Sequence, residues 1–261
     1  MPRFGLIRSA IIAIGWLLIF GCKKQDHQLR PDIVASVNGE YILLQEFTKQ
    51  LASNRAKTIS HFRVKFGAEY SNSFWYTTWD DHSPLDYIKE ISFDELLTNK
   101  IELGLAREYG LVEDMDYESN NSRRLTVNAD RDKAMAEHQV IYGPQSYSES
   151  VYYRYVSSLL IIRLKERLSQ ERFDISETKL REQYAARKDK FFIDQNGSGY
   201  RPYSECRAIV RSIYIDELYD ELIIKIKFKA KIVLNDKLYD RIQWINSGFS
   251  EINSSIEGRN E

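Results

Sequence analysis

The densest group of chemically capable side chains lies in Tyr70–Ser83, YSNSFWYTTWDDHS. Asp80, Asp81 and His82 follow Phe74, Trp75, Tyr76 and Trp79 there. Carboxylates beside an imidazole could move protons or hold a metal. Three consecutive residues point in different directions, though, and their spacing fits no ligand pattern. The aromatic rings admit two further readings. One is an exposed platform for unfolded polypeptide; the other is a loop pinned to the core. Phe74, Trp75, Tyr76 and Trp79 are thus peptide-binding candidates. Tyr152 and Tyr155, on a tyrosine-rich helical stretch, join them.

Other chemistry finds little purchase. The chain has no Gly-rich phosphate loop, no G-x-S-x-G and no H-E-x-x-H. His27, His61, His82 and His138 are scattered, and with Cys22 and Cys206 they show no zinc spacing. No catalytic residue, metal or cofactor is expected. The Asp80-Asp81 and Glu113-Asp114 pairs read as solvated surface. A net charge of −1 offers no basic surface for nucleic acid. Cys206, at the start of a helical run, reads as a small buried apolar residue.

These candidates must be positioned by elements, and the pattern is largely helical. The exception opens the fold. Ile33–Val37 is β-branched, Asn38-Gly39 signals a tight hairpin, and Tyr41–Leu43 can return as a second strand. Leu44, Phe47 and Leu51 then take up helical spacing, with a helix to about Ala68 and a break or bend near Asn54–Thr58. A two-stranded hairpin cannot bury its own face, so it needs a partner strand.

Ser92-Phe93-Asp94-Glu95 matches a capping box, so a helix is expected to start there and to end at Tyr109-Gly110. Leu97, Ile101 and Leu105 share its stripe. Asp116–Tyr142 reads as a polar helix ended by Tyr142-Gly143-Pro144. Ser146–Phe173 is a stronger one, with Tyr152, Val156, Leu160, Leu164 and Leu168 in a four-spaced row. Ser176 caps the next helix, and Ile193–Pro202 is a turn-forming linker. The closing helix starts at Tyr203 and carries Val210, Tyr214, Leu218, Leu222, Ile226 and Ala230. Ile224–Ile232 alternates apolar and basic, so helix and strand periods compete there. Asp236–Ile245 can add a short helix, and 246–261 reads as a frayed tail.

Met1–Cys22 has the layout of an export signal: Arg3 and Arg8, then the apolar Ser9–Phe20. That apolar run is shorter than the roughly 20 residues a membrane span needs. Ile19-Phe20-Gly21-Cys22 resembles a bacterial lipobox, with bulky Phe20 where a small residue is usual. The expectation is lipid on Cys22 and a body held at the cell envelope, facing the periplasm or exterior. An ordinary signal peptide or an uncleaved anchor is the alternative. Lys23–Pro31 would be the tether.

Three segments carry a family resemblance. V-A-x-V-N-G-E-x-I…E-F (from Val34 to Phe47) resembles the opening of the SurA/PrsA-type extracytoplasmic chaperones. FDELLTNKIELGLAREYGL (Phe93–Leu111) resembles a helix of that family ending Ala-x-x-x-Gly-Leu. Ile175, Ser176, Glu177, Leu180, Tyr184, Lys188 and Phe191 match a third segment of the family. In its foldase members a parvulin prolyl-isomerase domain follows at this point, whereas here Ile193–Pro202 leads straight into the closing helix. The resemblance implies helix to about Lys229, then a strand Ala230–Leu234 pairing with the hairpin.

The expected fold is mainly α: an elongated helical bundle or cradle, with a small sheet made from the N-terminal hairpin and a C-terminal strand. One domain, 32–245, would hold it. The resemblance implies a lipid-anchored chaperone-like protein whose partners are unfolded or nascent exported polypeptides. Two alternatives stand beside it: a peptidyl-prolyl cis-trans isomerase, the label the family often carries, or an accessory envelope lipoprotein with one fixed partner.

Overall fold

The computed structural model describes residues 29–112, 117–194, 197, 199–245 and 248–251. Met1–Cys22, read above as an export signal, most of Lys23–Pro31, Glu113-Asp114 and 252–261 lie outside the described residues.

The chain is mainly helical with a small antiparallel sheet, as expected. Strands β1 (Ile33–Val37) and β2 (Glu40–Leu43) form the hairpin, with a register irregularity between Ile33 and Ala35. Asn38 (φ 51°) and Gly39 (φ 93°) make the turn, and both sit in the left-handed region that Asn and Gly tolerate. The missing partner is β3 (Ile232–Leu234), which pairs antiparallel with β1, giving the order β2-β1-β3. Asn38 fixes this junction twice. Its backbone N–H donates to Lys231 O at 2.9 Å, and its side-chain Oδ1 accepts from Lys231 N at 2.8 Å. The strand is shorter than Ala230–Leu234: α6 (Tyr203–Lys229) ends as expected, but Ala230 is its C-cap, its N–H donating to Lys227 O.

Helix α1 (Leu44–Phe66) is continuous, with no break at Asn54–Thr58. Asn54 and Thr58 are buried and satisfied within the helix pair: Thr58 donates to Asn54 O, and Asn54 donates to Ser92 Oγ at 3.1 Å. Ser92 therefore lies inside α2 (Pro84–Glu108) and caps nothing. Ser83 is the true cap, accepting from Asp86 N, with Pro84 at the first helical position and Asp86 completing the box. Glu95 reaches across to Asn54, Gln50 and Lys57 of α1.

Helix α3 (Tyr117–Ala136) stops well before Tyr142, with His138 in the left-handed region (φ 56°) just beyond it. Helix α4 (Glu149–Glu171) buries the Tyr152, Leu160, Leu164 and Leu168 row. Helix α5 (Glu177–Phe191) is capped by Ser176 Oγ, which accepts from Lys179 N. Ile193 and Tyr200 then bridge across a tight loop into α6.

The main core gathers β1, α1, α2, α4 and the C-terminal half of α6. Leu180, Phe192, Cys206 and Val210 form a separate cluster between α5 and the N-terminal half of α6. Helix α6, about 40 Å long at its residue count, thus joins a helical hairpin with its own small core to the main body. Cys206 is buried among apolar neighbours.

The C-terminal expectation needs correction. Helix α7 (Asp236–Arg241) leads into a hairpin, β4 (Ile242–Ile245) with β5 (Gly248–Glu251), where a frayed tail was expected from 246. The rings supply the reason. Phe249 is buried against Trp75 and Trp244, with centroids 5.1 and 4.9 Å away.

Candidate functional site

The aromatic stretch resolves into a pinned loop. Phe74 and Trp75 are fully buried, and Trp75 stacks on Trp244 at 5.1 Å. Trp79 packs edge-on against Phe62 of α1 at 5.4 Å. Tyr76 is half exposed, but its hydroxyl donates to Trp244 O at 2.9 Å. The four do not form an open peptide platform, because the rings are consumed by the core and the C-terminal hairpin. Asp80 and Asp81 (φ 46° and 63°) are the two turn residues between Trp79 and His82, which bridge antiparallel. His82 Nε2 lies 3.7 Å from Glu90. Among the described residues no group of three or more His, Cys, Asp or Glu could hold a metal.

Tyr152 and Tyr155 fare differently. Tyr155 is about half exposed and stacks on Tyr147 at 5.7 Å. Tyr152 is largely buried, yet it lines a groove of about 480 Å³ between α1, α3 and the start of α4. Lys49 and Ser53 come from α1, Asn121 and Arg124 from α3, and Glu149, Tyr152 and Tyr153 from α4. The Lys49 ammonium reaches Glu149 across the mouth at 2.6 Å.

Beneath the groove lies a polar floor. Glu46 and Lys100 form a buried ion pair at 2.9 Å, each side chain under one-tenth exposed. A second small cavity of about 20 Å³ is lined by Glu46, Lys100, Glu102 and Tyr153. Burial pushes the Tyr153 hydroxyl well above its ordinary range, and the nearby Glu46 carboxylate adds to this. Glu102 accepts from Tyr219 Oη at 2.7 Å, and desolvation raises its carboxyl above the usual range. A buried carboxylate-ammonium pair is expensive to break, because it leaves a lone charge.

Among the described residues, no His or Cys lines the groove. His61 is stacked on Tyr87 at 4.4 Å, and His138 is exposed beyond α3. Among the described residues, no helix is long and apolar enough to cross a membrane. The sequence reading passed over the groove residues Asn121 and Arg124, treating Asn120–Arg124 as lacking a phosphate loop. The available signal was the polar series Asn120, Arg124, Asn128 and Arg131, spaced to share one helix face.

No family model, curated protein or solved structure matches this chain.

Proposed function

We propose that this protein is a chaperone-like holder of unfolded or partly folded exported polypeptides, tethered to the cell envelope through lipid on Cys22. The groove of about 480 Å³ between α1, α3 and α4 carries this reading. It joins an aromatic wall, Tyr152 and Tyr153, to a rim of amide and oppositely charged groups. Such a mixed surface suits weak binding of many chains better than tight binding of one compact ligand. Beside it, α4 shows solvent an apolar stripe of Val151, Tyr155, Leu159 and Ile162. The resemblance to the SurA/PrsA-type chaperones points the same way.

The test is aggregation. Several unrelated denatured proteins are diluted into buffer with and without the purified protein, and light scattering is followed. Suppression across unrelated clients is expected. Failure with every client would remove the reading. A rate above the uncatalysed one in a prolyl-peptide isomerisation assay would instead class the protein with the enzymes.

A further inference from the structure

Helix α3 already grips the main chain of one non-helical segment, Tyr142–Tyr147 of its own chain. Asn128 pairs with the backbone of Tyr147 on both sides: Nδ2 donates to Tyr147 O at 3.0 Å, and Oδ1 accepts from Tyr147 N at 2.8 Å. This is the pairing a neighbouring strand would offer. Arg131 donates to the carbonyls of Tyr142 at 2.8 Å, Gln145 at 3.3 Å and Pro144. Arg124 donates to Tyr147 O at 3.3 Å. All these bonds end on main-chain atoms of Tyr142–Tyr147. The Arg131 guanidinium also lies over the Tyr147 ring, 5.1 Å from its centroid.

The same face continues toward the helix N-terminus, and there it borders the groove. Arg124 stands at the junction. While Nη1 holds Tyr147 O, Nε and Nη2 donate to Asn121 Oδ1 at 3.1 and 2.9 Å. That bond orients the Asn121 amide with its oxygen already engaged. Its NH2 group is a pure donor, suited to a carbonyl.

We propose that the groove takes an extended polypeptide segment and reads its main chain through Asn121 and Arg124, as Asn128 and Arg131 read Tyr142–Tyr147. The guest's side chains meet the Tyr152 and Tyr153 wall, which selects for apolar bulk and not for sequence. This rests on the polypeptide-holding reading above and names how the guest is recognised.

Labelled unstructured peptides test it by fluorescence anisotropy with the full-length protein. One set keeps composition and scrambles order. A second keeps every side chain and replaces alternate backbone amides with alkene isosteres, removing the carbonyl acceptors that Asn121 and Arg124 would bind. Amide replacement is expected to weaken binding about tenfold, as loss of one or two hydrogen bonds does. Scrambling should change affinity less than about threefold. Asn121→Asp keeps the oxygen that Arg124 grips and removes the donors; it should weaken binding about tenfold with an unchanged melting temperature. Equal effects of scrambling and amide replacement, or unchanged binding by Asn121→Asp, would overturn main-chain reading while leaving the chaperone proposal standing. Absence of binding by any peptide would remove both.

Discussion

Glu102 is a side chain whose chemistry departs from its behaviour in water. It sits in α2 facing Tyr219 of α6, and burial holds its carboxyl above the ordinary range despite the hydroxyl bond and the nearby Lys165 charge. The folded protein therefore binds this proton more tightly than the unfolded chain. Its contribution to stability is full below the unfolded carboxyl value and is lost as pH rises through the raised folded value. Glu102→Gln keeps an oxygen for Tyr219 and cannot ionise. The variant should melt above the parent at neutral pH, and the gap should narrow as pH falls into the ordinary carboxylate range. Melting curves from pH 4 to 8 check this. A constant gap across that range would refute it. None of this was readable from residue order, because Glu102 becomes unusual only when α6 covers it.

At the scale of elements, the two serines of α2 separate local code from tertiary use. Ser83 and Ser92 both stand three residues before an acidic residue. Ser83 wins the cap because Pro84 fits the first helical position and cannot extend the helix backwards. Ser92, buried on the inner face, bonds Asn54. Ser83→Ala should cost about 1 kcal/mol, the usual value of a lost cap. Ser92→Ala removes an acceptor from buried Asn54 and should cost about 1–3 kcal/mol, the range for a polar group deprived of its partner. Paired denaturant unfolding curves would rank them. A larger loss at Ser83 would contradict the assignment. The C-terminal hairpin taught a similar lesson. Gln243-Trp244 and Phe249 flank Asn246-Ser247-Gly248, a turn-like sequence, yet the strands are too short to announce themselves. Their anchor, Trp75, lies far away along the chain.

For the whole molecule, closure of the sheet is the governing event. Asn38 and Lys231 meet across 193 residues, and Asn235 N donates to Val34 O at 2.9 Å. A pairing this distant in sequence pays its loop entropy before any bond forms, which slows folding. Truncation before Ile232 removes β3 and everything after it, leaving β1 with one neighbour. Amide hydrogen exchange in Ile33–Val37 should then accelerate strongly relative to the intact chain. Unchanged protection there would show that the hairpin stands without its late partner.

Features decided within a few residues were open to reading: the Asn38-Gly39 turn, the Ser176 cap, the α4 row and the mainly helical class. Short-range sterics, hydrogen bonding and side-chain period set these, and the chain carries them wherever it goes. The burial of Phe74 and Trp75, the Glu46–Lys100 floor and the groove beside Asn121 were decided in three dimensions. Each depends on which helix comes to lie over which. A side chain's solvent, dielectric and partners exist only after that packing is complete.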